Sequence, residues 1–186
     1  MHGSKVTATP RTIPLTRLRV SGLAGSPTHG RLLAGGTSIP CRLGSGGIVR
    51  FKREGDGGTP VGRFRLLSLL VRKDRGFAPA SRLPRRNIRP ADSWCDAPVS
   101  GSYNRFGAQP FNASHERLWR NDAVYDRLVI LDYNVMPRVK GRGSAIFFHL
   151  CATPGKPTAG CVAISAADMR RLLPRLSRHA VMIIQR

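Results

Sequence analysis

Glycine and proline interrupt this chain so often that little of it can run as long helix. Twenty Gly and 14 Pro are scattered through 186 residues, and the apolar residues between them fall in runs suited to short strands and tight turns. Thr12 to Val20 alternates imperfectly through Ile13, Leu15, Leu18 and Val20, as a first strand would. Gly30 to Leu33, Thr37 to Leu43 and Gly47 to Phe51, divided by Gly35-Gly36 and the Gly44 to Gly47 cluster, read as short strands in hairpins. Gly55 to Gly58 reads as a turn and Val61 to Val71 as a longer strand. The runs Leu128-Val129-Ile130-Leu131, within Asp126 to Tyr133, and Ala145 to Leu150 are apolar without alternation, the pattern of strands covered on both faces. Val181 to Ile184 supplies a last strand. The single helix is expected after Ser165-Ala166-Ala167-Asp168, a capping-box pattern, with Met169, Leu172, Leu173 and Leu176 on one face and Pro174 ending it early. The expectation is a mainly β domain with a C-terminal helix over residues 12–186, behind a flexible tail of residues 1–11.

A length of 186 residues suits one domain with its own core, expected to act as a monomer. The formal net charge is +21, from 31 Lys and Arg against 10 Asp and Glu, which points to an acidic partner. Nucleic acid is one such partner and an anionic polymer or envelope surface is another. No zinc-finger spacing, RNP-type motif or basic heptad helix is present, and the charge is spread as Arg over the whole chain. General attraction to an acidic matrix is therefore favoured over specific nucleic-acid readout, with a non-catalytic basic binding protein as the rival reading. No apolar stretch reaches the length of a membrane span. The first thirty residues carry basic side chains without the continuous apolar core of a secretory leader. No cofactor and no metal are expected. Four cysteines, Cys41, Cys95, Cys151 and Cys161, form neither a CxxC pair nor a dense disulfide framework, and a Cys41–Cys95 pair stays open.

Chemistry concentrates near the C-terminus. Cys161 directly follows Gly160 between a loop and an apolar run, and His149 stands twelve positions earlier at the end of an apolar strand. A free thiol titrates near 8.5, so a neighbouring imidazole is the usual means of raising the thiolate fraction at neutral pH. A glycine before the nucleophile lets the main chain approach a substrate carbonyl, and the amides around Gly160 and Cys161 can face a developing oxyanion. Without a marked carboxylate, a main-chain carbonyl is the expected partner that orients His149. On spacing alone the alternative, a small buried cysteine and a satisfied core histidine, stands equally. Cys151, two residues after His149 and so on the same strand face, is the rival nucleophile, and His115 the rival base.

These residues carry a family resemblance. His149 with Thr158-Ala159-Gly160-Cys161-Val162 resembles the active-site signature of the L,D-transpeptidase catalytic domain, the YkuD-like family, and Gly58-Thr59-Pro60-Val61-Gly62-Arg63-Phe64 is similar to its Thr-Pro-x-Gly-x-Phe segment. Blocks like Trp94-Cys95-Asp96, Tyr103-Asn104-Arg105, His115-Glu116-x-Leu118 and Tyr125-Asp126 also occur in one branch, so the similarity runs from about Leu18 to the C-terminus. The resemblance implies a β-sandwich or barrel-like domain in which Cys161 is the nucleophile and His149 its base. Its reaction would be ping-pong acyl transfer between peptidoglycan stem peptides in the periplasm or cell envelope, in service of cell-wall biogenesis and cell shape. It implies 3-3 or 1-3 cross-links, with L,D-carboxypeptidase or endopeptidase action as the hydrolytic alternative, and acylation by carbapenems. The absence of a recognisable leader keeps a cytoplasmic location open. Two departures stand out: many members carry a His before the Gly and an Arg two residues after the Cys, where this chain has Ala159 and Ala163.

Residues 73–121 show little periodicity and many Pro, Arg, Asn and Ser, and read as a long loop inserted as a lid or wall of the cleft. Trp94, Tyr103, Asn104 and Arg105 in that segment, with Tyr133 and Thr158, are the expected substrate contacts.

Overall fold

The computed structural model describes residues 13–76, 80–108, 112–151 and 156–186. The tail expected over residues 1–11, and residues 152–155 of the loop before the cysteine motif, lie outside them. In chain order the strands are β1 (Leu15–Leu23), β2 (Ser26–Ala34), β3 (Thr37–Arg42), β4 (Ile48–Val49), β5 (Thr59–Pro60), β6 (Gly62–Val71), β7 (Arg85–Asn87), β8 (Asp92–Cys95), β9 (Phe106–Ala108), β10 (His115–Arg117), β11 (Arg127–Leu131), β12 (Phe147–Leu150), β13 (Val162–Ile164) and β14 (Leu176–Gln185). The helix α1 (Ala166–Leu172) lies between β13 and β14.

The largest sheet has nine strands in the order β11-β12-β13-β3-β2-β1-β14-β6-β7, and a further pairing of β11 with β6 closes all but β7 into a barrel. Gly25 turns β1 into β2 and Gly35-Gly36 turns β2 into β3, each with a positive φ that an L side chain resists. The return from β13 runs through α1 and sets β14 parallel to β1. Ser165 caps α1 by accepting from the Asp168 amide at 3.0 Å, and the Leu173–Arg175 turn around Pro174 ends it. Met169 and Leu172 then point into the barrel core.

Alternation along the strands divides the molecule into two cores. Leu18 and Val20 of β1, Val129 and Leu131 of β11, Phe148 and Leu150 of β12, and Val162 and Ile164 of β13 fill the barrel interior. Their neighbours Leu128, Ile130 and Phe147 face outward and would meet water if nothing lay over them. Trp94 and Leu118 cover them, and the Trp94 and Phe147 rings meet edge to face at 5.2 Å. The uninterrupted apolar runs of β11 and β12 thus have their reason in a second layer.

That layer corrects the expectation of one unstructured loop over residues 73–121. The segment contains β7, which extends the barrel sheet parallel to β6, and β8, β9 and β10, which form a separate sheet in the order β10-β8-β9. The reason for the difference is length and polarity. Arg85-Arg86-Asn87 and His115-Glu116-Arg117 are three-residue strands of polar residues, too short for a period of two to register. Cys41 lies in the barrel interior and Cys95 on β8, and both are free thiols. Among the described residues no helix is long and apolar enough to cross a membrane.

Candidate active site

The candidate nucleophile and base stand on the outer face of the barrel, on the neighbouring segments β12 and the residue just before β13. β12 and β13 run parallel with Phe148 opposite Val162 and His149 opposite Ala163. Since Phe148 and Val162 point inward, Phe147, His149, Cys161 and Ala163 point out. His149, Cys161 and Ala163 line one cleft of about 680 Å³. The Cys161 thiol donates to the Ala145 carbonyl at 3.2 Å and accepts from the Phe147 amide at 3.3 Å. His149 Nδ1 lies 2.9 Å from the Leu150 carbonyl. An acceptor there fixes the proton on Nδ1 and leaves Nε2 as the basic nitrogen. Tyr125 roofs the pair, its ring edge-on to Phe147 at 6.0 Å and to His149 at 5.3 Å.

The turn carrying Cys161 is held by close main-chain packing and by two threonine hydroxyls. Gly160 has φ +134°, and a Cβ there would lie 2.7 Å from the Gly58 carbonyl. A Cβ on Gly44 would come to 1.9 Å of the Gly57 carbonyl. Three segments, residues 43–47, 57–59 and 158–160, therefore approach at backbone distance, which only glycine permits. Hydrogen bonds lace them together: Thr158 N to Leu43 O at 2.9 Å, Ser45 N to Thr158 O at 2.9 Å and Thr59 N to Gly47 O at 2.7 Å. The buried Thr59 hydroxyl accepts from the Gly44 amide at 2.8 Å. Thr158 Oγ1 donates to the Cys161 carbonyl at 2.7 Å and accepts from the Gly160 amide at 3.2 Å. The Gly160 amide is thereby engaged.

The YkuD family model, described as the L,D-transpeptidase catalytic domain, matches residues 28–184. The chain belongs to that family. No curated protein and no solved structure matches it. In this L,D-transpeptidase domain the match takes in the second layer, every residue of the cleft named above and the barrel from β2 onward, leaving β1 outside it.

Burial sets the resting protonation of this candidate site. Removal from water pushes the Cys161 thiol up to about 12, offset in part by the Phe147 amide. The same removal pushes His149 down to about 4, with the nearby Arg120 guanidinium acting in the same direction. The protein at rest therefore holds a neutral thiol and a neutral imidazole in the one cleft across the physiological range. Arg120 is itself tied to Asp122 at 2.9 and 2.7 Å and to Glu116 at 3.1 Å, with its guanidinium carbon 5.2 Å from the Tyr125 ring centre.

A pH dependence of stability follows from the histidine. Its folded pKa of about 4 lies below the ordinary 6.5, so the unfolded chain takes up a proton that the folded chain refuses. Stability contributed by the neutral ring is complete above about 6.5, falls as the pH drops toward 4, and changes no further below that. The full loss is on the order of 3 kcal/mol. Chemical denaturation of the native protein and of His149→Gln across pH 4 to 7 checks this. The two stability curves should converge toward the acid end, and parallel curves would refute it.

The other expected contacts are placed as follows. Thr158 lines the cleft. Trp94, Tyr103 and Asn104 are buried in its supporting wall at 5%, 2% and 1% exposure. Asn104 Oδ1 accepts from Trp94 Nε1 at 2.8 Å and from the Ala145 amide at 3.1 Å, while its Nδ2 donates to the carbonyls of Tyr133 at 3.2 Å and Asn134 at 2.6 Å. Asn104 thus fixes Ala145, whose carbonyl receives the thiol. Tyr103 donates its hydroxyl to Glu54. Tyr133 donates to the Arg142 carbonyl and packs edge-on to Phe64, and Arg105 is exposed beyond the wall. Cys151 shares the outer face with His149 and lines the cleft, whereas His115 on β10 turns Nδ1 to the Ala113 carbonyl at 2.9 Å. The spacing gave no sign of Tyr125 as a roof over His149 or of Arg42 in the cleft. A signal for Tyr125 was present in the Tyr125-Asp126 block.

Proposed function

We propose that the protein is a cysteine-dependent peptidoglycan L,D-transpeptidase that forms 3-3 or 1-3 cross-links between stem peptides in the cell envelope. The observation that carries this reading is the shared cleft of Cys161 and His149, with the histidine held so that Nε2 is the basic nitrogen. Substrate entering the cleft excludes water, and the thiol proton passes to Nε2 as Sγ bonds to the carbonyl carbon of an L-to-D peptide bond. The Cys161 amide faces the oxyanion. Collapse breaks the C–N bond, His149 returns its proton to the departing amine, and a thioester remains on Cys161. An amine from a second stem then attacks the thioester, giving its proton to His149, and the thiolate leaves. Water in place of that amine gives L,D-carboxypeptidase or endopeptidase action. A carbapenem would acylate the same sulfur.

The test is incubation with purified disaccharide tetrapeptide and disaccharide pentapeptide, followed by mass spectrometry. A cross-linked dimer is the expected product and a shortened monomer marks hydrolysis. No product from either, with salt-sensitive DNA binding that survives Cys161→Ala, would replace acyl transfer by the basic binding-protein reading.

A further inference from the structure

The cleft that Cys161 and His149 share is also lined by a third group, Arg42. Ala163 pairs with His149 on one side and with Arg42 on the other, and residues paired across a sheet project to the same face. Neighbouring strands lie about 4.8 Å apart, so Arg42 starts roughly 10 Å from His149 with only a methyl group between them. Cys161 is two residues before Ala163, about 6.6 Å along the strand. Arg42, Ala163, His149 and Cys161 all line the one cleft.

Arg42 is also short of a partner. Its Nη1 is sealed from solvent with no hydrogen-bond acceptor, and among the described residues none of the ion pairs includes it. A desolvated guanidinium nitrogen left without an acceptor is unfavourable, and a bidentate carboxylate is the acceptor its planar fork fits best. The chain has only 10 Asp and Glu for 31 Lys and Arg, and among the described residues no ion pair joins any of them to this guanidinium. An anionic group on the substrate can fill the place.

We propose that Arg42 is a substrate-binding residue that takes the free α-carboxylate of the D-residue on the leaving side of the scissile bond. That carboxylate carbon lies three bonds from the carbonyl under attack, so a substrate with its carbonyl at Cys161 Sγ sets its carboxylate within reach of a side chain rooted at Arg42. Exposed Lys156 on the same cleft adds positive charge. The methyl group of Ala163 leaves the path between the two sites open. This assignment rests on the acyl-transfer reading for its substrate, and direct binding tests it apart from turnover.

The experiment uses two short peptides with an L-to-D bond that differ only in ending in a carboxylate or a carboxamide, titrated calorimetrically into the Cys161→Ala protein so that neither is cleaved. The acid is expected to bind on the order of 10- to 100-fold more tightly than the amide. Adding Arg42→Ala should remove that preference by weakening the acid alone, and Arg42→Lys should keep part of it. Arg17→Ala, the same change of net charge at an exposed strand position, should leave both affinities unchanged, and melting curves check that each variant is folded. Equal binding of acid and amide, equal loss of both in Arg42→Ala, or no binding of either overturns the proposal. Turnover of the same peptides by the unsubstituted protein reports separately on acyl transfer: discrimination without turnover leaves Arg42 as a carboxylate site and removes the transpeptidase reading.

Discussion

Cys161→Ser is expected to abolish cross-linked product, a loss on the order of 10³-fold or more, while the protein melts close to the native temperature. The choice of Ser matters because the thiol has two main-chain partners, the Phe147 amide and the Ala145 carbonyl. A hydroxyl can keep both; Ala leaves the buried Phe147 amide without an acceptor, which costs about 1–3 kcal/mol, and so mixes lost stability with lost chemistry. The hydroxyl is also a far weaker nucleophile beside an imidazole whose own pKa is pushed down to about 4. His149→Ala should remove product as completely, since among the described residues that line the cleft His149 is the sole imidazole. Cys151→Ala should keep most of it. Mass spectrometry of muropeptide reactions reads all three, and loss in Cys151→Ala with retention in Cys161→Ser would move the nucleophile to Cys151.

Gly160→Ala is expected to destabilise the fold by on the order of 2–4 kcal/mol and to remove activity with it. Two terms add. The φ of +134° is one that an L side chain rarely adopts, and the new methyl would press to 2.7 Å of the Gly58 carbonyl and 3.2 Å of Ile146 Cδ1. Neither neighbour can retreat cheaply, because residues 57–59 are themselves pinned against residues 43–47. Gly141→Ala separates the two terms: its φ is +76°, and nothing lies within 4 Å of the added carbon. Thermal denaturation of both variants should place Gly160→Ala well below Gly141→Ala. Equal melting temperatures would mean that the backbone wedge under the cysteine turn contributes nothing.

Much of the barrel was legible because its strands carry their own signals. The Gly35-Gly36 break, the run to Val71 and the Ser165 cap each appear in the structure at or near the expected residues. The segment over residues 73–121 was not legible, because strands of three or four residues are made by the partner they lie beside rather than by their own pattern. The same cause hid the roles of Trp94, Tyr103 and Asn104. An aromatic or amide side chain looks alike in sequence whether it faces a cleft or a core, and here the second layer buries all three.

The order of residues by itself determined the β-rich class, the family and the residue types able to do thiol chemistry, since turns, apolar runs and short motifs are local properties of a chain. Tertiary structure alone decided which groups meet. Ala163 in the sequence is only a missing arginine; the pairing of β13 with β3 sets Arg42 beside it from a position 121 residues earlier. Nor could any local pattern state that burial under Tyr125 keeps both thiol and imidazole uncharged at rest. Protonation depends on the water excluded by neighbours distant in the chain, and those neighbours exist only once the barrel has closed.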